Sequence, residues 1–97
     1  MNNDFQKYND LAEILKVVAH PVRLCILKGL LDTGDCNVSH MKACLNIPQS
    51  TVSQHLQKLR AAGLVQGTRR GLEITYKLRE GDNFTLIKAI IEQTLSV

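Results

Sequence analysis

The spacing of apolar residues divides the chain into seven segments with two different periods. From about residue 4 to 18, Phe5, Tyr8, Leu11, Ala12, Leu15 and Val18 recur mostly three or four apart, the period of one helix face. Pro21, after Ala19-His20, suits the first turn of a second helix. Its stripe reads Leu24, Leu27 and Leu31, and Gly34 ends it. Asn37 is a suitable N-cap for a short third helix, Val38 to Leu45. Pro48 opens a fourth helix that lasts until Gly63, with Val52, Leu56 and Leu59 facing inward at i, i+4 and i+7. The period then falls to two. Leu64-Val65-Gln66 reads as a short strand, and Gly67 to Gly71 as a turn with Arg69 and Arg70 at its tip. Leu72, Ile74, Tyr76 and Leu78 alternate with Glu73, Thr75 and Lys77, a half-buried strand. Arg79-Glu80-Gly81 breaks it. A last helix, about 82–95, carries Phe84, Leu86, Ile87, Ile90, Ile91 and Leu95. The predicted order is helix-helix-helix-helix-strand-strand-helix, mostly α with a two-stranded β wing. Gly29 is the one glycine inside a predicted helix, where it is read as permitting close packing.

Composition narrows the class. Ninety-seven residues make one domain, 1–97, with one modest core. Hydrophobic residues at 44% and charged residues at 22% exclude a disordered tail, a collagen-like repeat and a disulfide-stapled toxin. No apolar run approaches the roughly 18 residues of a membrane span. The polar stretch Met1 to Asp10 lacks a signal-peptide core, so a cytoplasmic protein is expected. Cys25, Cys36 and Cys44 form no Cys-x-x-Cys pair, and free thiols are expected in a reducing compartment.

The net charge of +3 is unevenly spread. Residues 1–40 carry −1, residues 41–79 carry +6 with Glu73 as their single acid, and residues 80–97 carry −2. A basic middle between acidic ends suggests a polyanion-binding face. A solvated surface that happens to be basic is the other reading.

The third and fourth helices have helix-turn-helix proportions. Opposite the fourth helix's apolar stripe lie Ser50, Ser53, Gln54 and Gln57, flanked by Gln49, Thr51, His55 and Lys58. This face is polar, short-chained and free of acids, whereas a solvated helix ordinarily mixes glutamates with cations. Ser, Thr and Gln can hydrogen-bond both phosphates and base edges. Arg69 and Arg70 can reach a phosphate or the minor groove from the hairpin. A helix-turn-helix followed directly by a basic wing is far more specific than either part.

These residues resemble a known family. Ala19-His20-Pro21-Val22-Arg23-Leu24-Cys25-Ile26-Leu27 is similar to the second-helix signature of ArsR/SmtB-type winged helix-turn-helix repressors. The stretch from Pro48 to Arg60, with Ala62-Gly63-Leu64-Val65, is similar to their recognition helix and the start of their wing; residues 70–78 resemble the wing itself. The resemblance covers nearly the whole chain. It implies a bacterial homodimer that binds an imperfect inverted repeat of double-stranded DNA and blocks transcription. It also implies that the first and last helices form the dimer interface, here through Phe5, Tyr8, Leu11, Leu15, Phe84, Ile87, Ile91 and Leu95. The apolar arc of the last helix, too broad for one small core, points the same way.

Many members of the family sense metals. The family's Cys-x-Cys falls on Asn37 and Ser39, with Cys36 one place out of register. A second site uses Asp and His on the last helix; Asp82 fits its start, but Phe84 stands where histidine is expected. Sulfur-sensing relatives pair a cysteine of the second helix, aligned with Lys28, with one in the last helix, where none occurs; Cys25 is three residues early. The chain thus resembles the metal-independent, PagR-like and HlyU-like branch. Cys36, His40 and Cys44 are spaced i, i+4, i+8, but the outer two would lie about 12 Å apart on a straight helix, so one metal cannot take all three. Cys36 and Met41 instead read as a hydrophobic staple across the Asn37 cap, and Cys44 as a small core residue. If a thiol is oxidised, Cys36 is the first candidate by exposure. His20 reads as a cap or packing residue.

The expectation is a homodimeric, sequence-specific repressor with no cofactor and an inducer the sequence does not identify. Ser50, Thr51, Ser53, Gln54 and His55 would enter the major groove, with Gln49 flanking, while Lys58, Arg69 and Arg70 hold the backbone. Activation by displacing another protein is a variant of this reading. Three alternatives stand beside it: a repressor responding to metal or oxidation through Cys25, Cys36, Cys44 and His40; a winged helix that binds protein, which would need an apolar or acidic recognition face; and an enzyme, which would need convergent titratable groups absent from this pattern.

Overall fold

The computed structural model describes residues 4–95, so the extreme ends of the expected 1–97 domain lie outside the described residues. The elements are α1 (Phe5–Val18), α2 (Pro21–Thr33), β1 (Asp35–Asn37), α3 (Val38–Leu45), α4 (Gln49–Ala61), β2 (Val65–Arg70), β3 (Glu73–Leu78) and α5 (Asp82–Thr94). The five helices fall where the periodicity puts them. The expected order is corrected in one place: β1 makes a third strand between α2 and α3. It pairs antiparallel with β3, Cys36 opposite Tyr76, giving the sheet order β1-β3-β2. Three residues are too few to show a period of two, and β1 is extended only because β3 offers it an edge.

Local chemistry sets the helix boundaries. His20 caps α2, its Nδ1 accepting from the Val22 N–H at 3.1 Å, with Pro21 at the first helical position. Gly34, at φ +89°, ends the helix. Asn37 caps α3, its Oδ1 accepting from the His40 N–H at 2.8 Å. Asn46, left-handed at φ 56°, ends α3 and sets up the short turn into α4.

The core lies between α2, α4, α5 and the base of the sheet. Val52, Leu56 and Leu59 are wholly buried, as the i, i+4, i+7 spacing requires. The α2 stripe is corrected: Ile26, Leu27 and Leu30 are buried, while Leu24 and Leu31 are only partly so. That helix is packed on several sides, so three residues at helical spacing underestimate the buried arc. Gly29 is exposed, and a Cβ there would meet no atom within 4 Å, so the close packing expected of it does not occur within the protomer.

The wing is longer than its sequence pattern suggests. β2 runs on through Arg69 and Arg70, and the turn shrinks to Gly71-Leu72. Positive φ at Gly71 alone is the type II′ pattern. The register gives the strands two faces: Val65, Gly67 and Arg69 share one with Ile74, Tyr76 and Leu78, and Gln66, Thr68 and Arg70 share the other with Glu73, Thr75 and Lys77. Gly67 is needed where the Tyr76 ring crosses it; a Cβ would stand 3.0 Å from that ring. The half-buried alternation expected of β3 holds only at its base. Tyr76 and Leu78 are buried, but Leu72 is 99% exposed because the tip projects beyond the body.

Candidate nucleic-acid interface

The turn from α3 sets α4 with its apolar stripe in the core and its polar face outward. Gln49, Ser50, Gln54, Gln57 and Lys58 are exposed, and Thr51 and Ser53 are half-buried. The helix contains no acidic residue, and Pro48 at its N-cap brings no side-chain cap. Its N-terminal end therefore keeps its positive dipole uncompensated.

His55 departs from the expected role. Its Nδ1 accepts a hydrogen bond from Arg23 Nε at 3.2 Å, and its ring lies against that of His20, centroids 4.5 Å apart. Arg23 Nη1 also donates to the Val17 carbonyl at 3.0 Å. The side chain is thus held against α2 rather than aimed into a groove. Because Nδ1 accepts, the neutral ring carries its proton on Nε2. Burial, then the neighbouring His20, Arg23 and Lys58, push its pKa below the ordinary histidine range. His55 is a neutral positioning residue at pH 7. Arg23, which the sequence reading did not single out, joins α1, α2 and α4 at this point. The available signal was a lone cation in the first turn of α2, facing inward with the His-Pro start.

The wing flanks α4. A groove of about 550 Å³ runs between them, lined by Ser39, Gln49 and Ser53 on one side and Arg70, Leu72, Glu73, Ile74 and Tyr76 on the other. Arg69 and Arg70 are exposed, but they are strand residues and do not form the tip. Arg69 Nε donates to the Gly71 carbonyl at 3.2 Å. Glu73, the one acid of this region, accepts from Asn37 Nδ2.

The cysteines are rearranged relative to expectation. Cys25 and Cys44 are exposed, while Cys36 is partly buried against the core. Cys44 is therefore not a core residue, and Cys36 is not the most exposed thiol. Burial, then Cys44 and Asp35, push the Cys36 pKa up, which disfavours its reactive thiolate. His40 Nε2 stands 3.4 Å from Cys44 Sγ. At the positions where the resemblance puts the family's metal ligands, Asn37 is used as a helix cap and as a donor to Glu73, and Phe84 packs on the core. Among the described residues, no three His, Cys, Asp or Glu side chains are grouped to hold an ion.

A second surface is apolar. Phe5 (55% exposed), Tyr8 (57%), Leu11 (44%) and Leu15 (42%) line the outer side of α1, and Leu95 (42%) follows α5. Ile14, Val17 and Val18 turn inward from the same helix. Of the other expected interface residues, Phe84 is half-buried, and Ile87 and Ile91 lie in the protomer's own core at 2% and 0% exposure. Those two isoleucines leave the set of residues a partner could touch. No helix among the described residues is long and apolar enough to cross a membrane.

Known proteins share this architecture. Residues 20–66 match the arsR family of bacterial regulatory proteins. The transcriptional repressor PagR of Bacillus anthracis is 39% identical over 87 residues, covering 90% of this chain and 87% of that protein. Reduced HlyU from Vibrio cholerae superposes with a TM-score of 0.87 at 27% identity, over 98% of this chain and 99% of that one. The homodimeric winged helix-turn-helix DNA-binding domain of Mb0332 from Mycobacterium bovis superposes with a TM-score of 0.76 at 26% identity, over 98% and 90%. The chain belongs to the arsR family of bacterial regulatory proteins and is a DNA-binding transcriptional repressor of that family, not an enzyme.

Proposed function

We propose that the protein is a homodimer that represses by occupying an inverted repeat in a promoter, without the metal sites of its metal-sensing relatives. The observation that carries this reading is the acid-free polar face of α4 beside the basic wing. Gln49, Ser50, Thr51, Ser53 and Gln54 read the major groove; Lys58, Arg69 and Arg70 hold phosphates, with the wing arginines at the minor groove. Phe5, Tyr8, Leu11, Leu15 and Leu95 meet their counterparts in a second copy. The homodimeric state of the Mb0332 domain supports that assignment. Twofold symmetry then sets two α4 helices about 34 Å apart, one turn of B-DNA.

The test is binding of the purified protein to DNA from upstream of its own gene, followed by anisotropy over a salt series under reducing, oxidised and zinc-added conditions. Affinity should fall steeply with salt and stay the same in all three conditions. Replacing Arg69 and Arg70 with alanine should flatten the salt slope by about two. Binding lost on oxidation or with zinc would transfer the assignment to a thiol- or metal-responsive repressor acting through the His40–Cys44 pair.

A further inference from the structure

A leucine that is 99% exposed stands at the tip of the wing. Leu72 is the second residue of the two-residue turn, after Gly71. Gly71 supplies the positive φ that the turn requires. Nothing in the turn geometry asks for leucine beside it, where polar residues are the rule. Two cations, Arg69 and Arg70, precede the turn, and the Arg69 side chain is held to it through the Gly71 carbonyl; Glu73 follows the turn, its carboxylate engaged by Asn37 Nδ2. Leu72 also lines the groove that Gln49 and Ser53 of α4 share with Arg70 and Ile74. The leucine and the polar face of α4 therefore look onto one concavity. With α4 in a major groove, as proposed above, the wing tip would lie toward the adjacent minor groove.

We infer that Leu72 is an apolar wedge that enters the minor groove and partly unstacks one base step, kinking the operator toward the major groove. The inference rests on the wing contact proposed above for Arg69 and Arg70. The arginines supply attraction to the negatively charged groove. The leucine supplies what they cannot, a hydrocarbon surface that displaces water and parts two stacked bases. Flexible pyrimidine–purine steps are the class it selects, because they cost least to unstack. A single leucine beside two arginines is poorly suited to meeting another protein's apolar patch, which would need a broader surface.

The experiment uses the full chain and a duplex of its own upstream DNA, with dyes at both ends and 2-aminopurine at successive positions facing the wing. Wild type should brighten the 2-aminopurine at one step in each half-site and shorten the end-to-end distance. Leu72→Ala should bind about tenfold more weakly, equivalent to about 1.4 kcal/mol, and lose both signals while keeping the salt slope. Leu72→Phe should keep both signals, and Leu72→Lys should recover affinity without the bend. Since the side chain is fully exposed, none of these variants disturbs the core. Unchanged brightening and bending in Leu72→Ala, or a change in self-association with DNA binding untouched, overturns the wedge. An unchanged salt slope on removing Arg69 and Arg70 overturns the wing contact and the wedge together; a flattened slope with an unchanged Leu72→Ala bend overturns the wedge alone.

Discussion

Replacing Arg23 with alanine removes two bonds that meet where three helices converge. One runs from Nε to His55 Nδ1 on α4 at 3.2 Å, the other from Nη1 to the Val17 carbonyl of α1 at 3.0 Å. A hydrogen bond with one charged partner contributes about 1.5–3 kcal/mol. Arg23 is half-buried, so water recovers part of each; about 1 kcal/mol per bond remains, or about 2 kcal/mol in all. In a domain of this length that lowers Tm by about 8–16 °C. Thermal and urea melts should be compared at one fixed protein concentration, because self-association would shift Tm by mass action. Arg23→Lys should restore only about half of the loss, since a single ammonium cannot serve two acceptors in a fixed fork. A fall in Tm of less than about 2 °C for Arg23→Ala would refute the claim that this clamp holds the helices together.

The same site gives a pH dependence. The folded pKa of His55 lies below its unfolded value near 6.5, so between the two the unfolded chain binds more protons and stability rises with pH. Urea melts should show stability level above about pH 6.5 and falling as pH drops below it toward the folded value, with that slope absent in His55→Gln. Gln54→Ala should cost about 1–3 kcal/mol at particular base pairs and little elsewhere; uniform loss across operator variants would make Gln54 a backbone contact. Leu11→Asp with Leu15→Asp should give a folded monomer by sedimentation, because both side chains lie outside the protomer core; an unchanged dimer would move the interface off α1. In Gly67→Ala the new methyl would press on the Tyr76 ring at 3.0 Å and an Ile74 methyl at 3.2 Å, costing about 1–3 kcal/mol, and a melt equal to wild type would mean that the ring yields freely.

The helices and the outward polar side of α4 were legible because each is written in local chemistry. Val52, Leu56 and Leu59 repeat at helical spacing, and Pro21, Gly34 and Asn37 mark boundaries that need no distant partner. Most of what escaped depends on partners remote in sequence. β1 exists only through β3, forty residues away. The wing's true length depends on Arg69 and Arg70 pairing with Ile74 and Glu73, and glycines on both sides of the arginines made an extended strand look like a loop. Ile87 and Ile91 share the periodicity of an interface helix, and only the packed protomer shows that its own core uses them. His55 sits at the right spacing for base contact, but Arg23, thirty-two residues earlier, turns it inward.

That clamp bears on how the two surfaces of the molecule work together. An inverted repeat is read only if the two α4 helices keep one separation and one phase. In the proposed dimer the separation would be set at α1, where the outward apolar stripe lies, and the reading would be done by α4. Between them Arg23 bonds the last turn of α1 and the middle of α4 from the start of α2, and His20 caps that start while its ring rests on His55. If α4 reads DNA as proposed, rigidity along this line would reduce the entropy cost of ordering α4 there and make the penalty for a wrongly spaced repeat steep. A series of upstream fragments with one base pair added or removed between half-sites should therefore separate the two contributions. Wild type should discriminate sharply against both changes, and Arg23→Ala, where it remains folded, should discriminate less while losing little affinity for nonspecific DNA, since Arg23 lies behind the recognition face. Equal discrimination by the two proteins would mean that the core beneath α4 alone fixes the spacing, and that the clamp contributes only to stability.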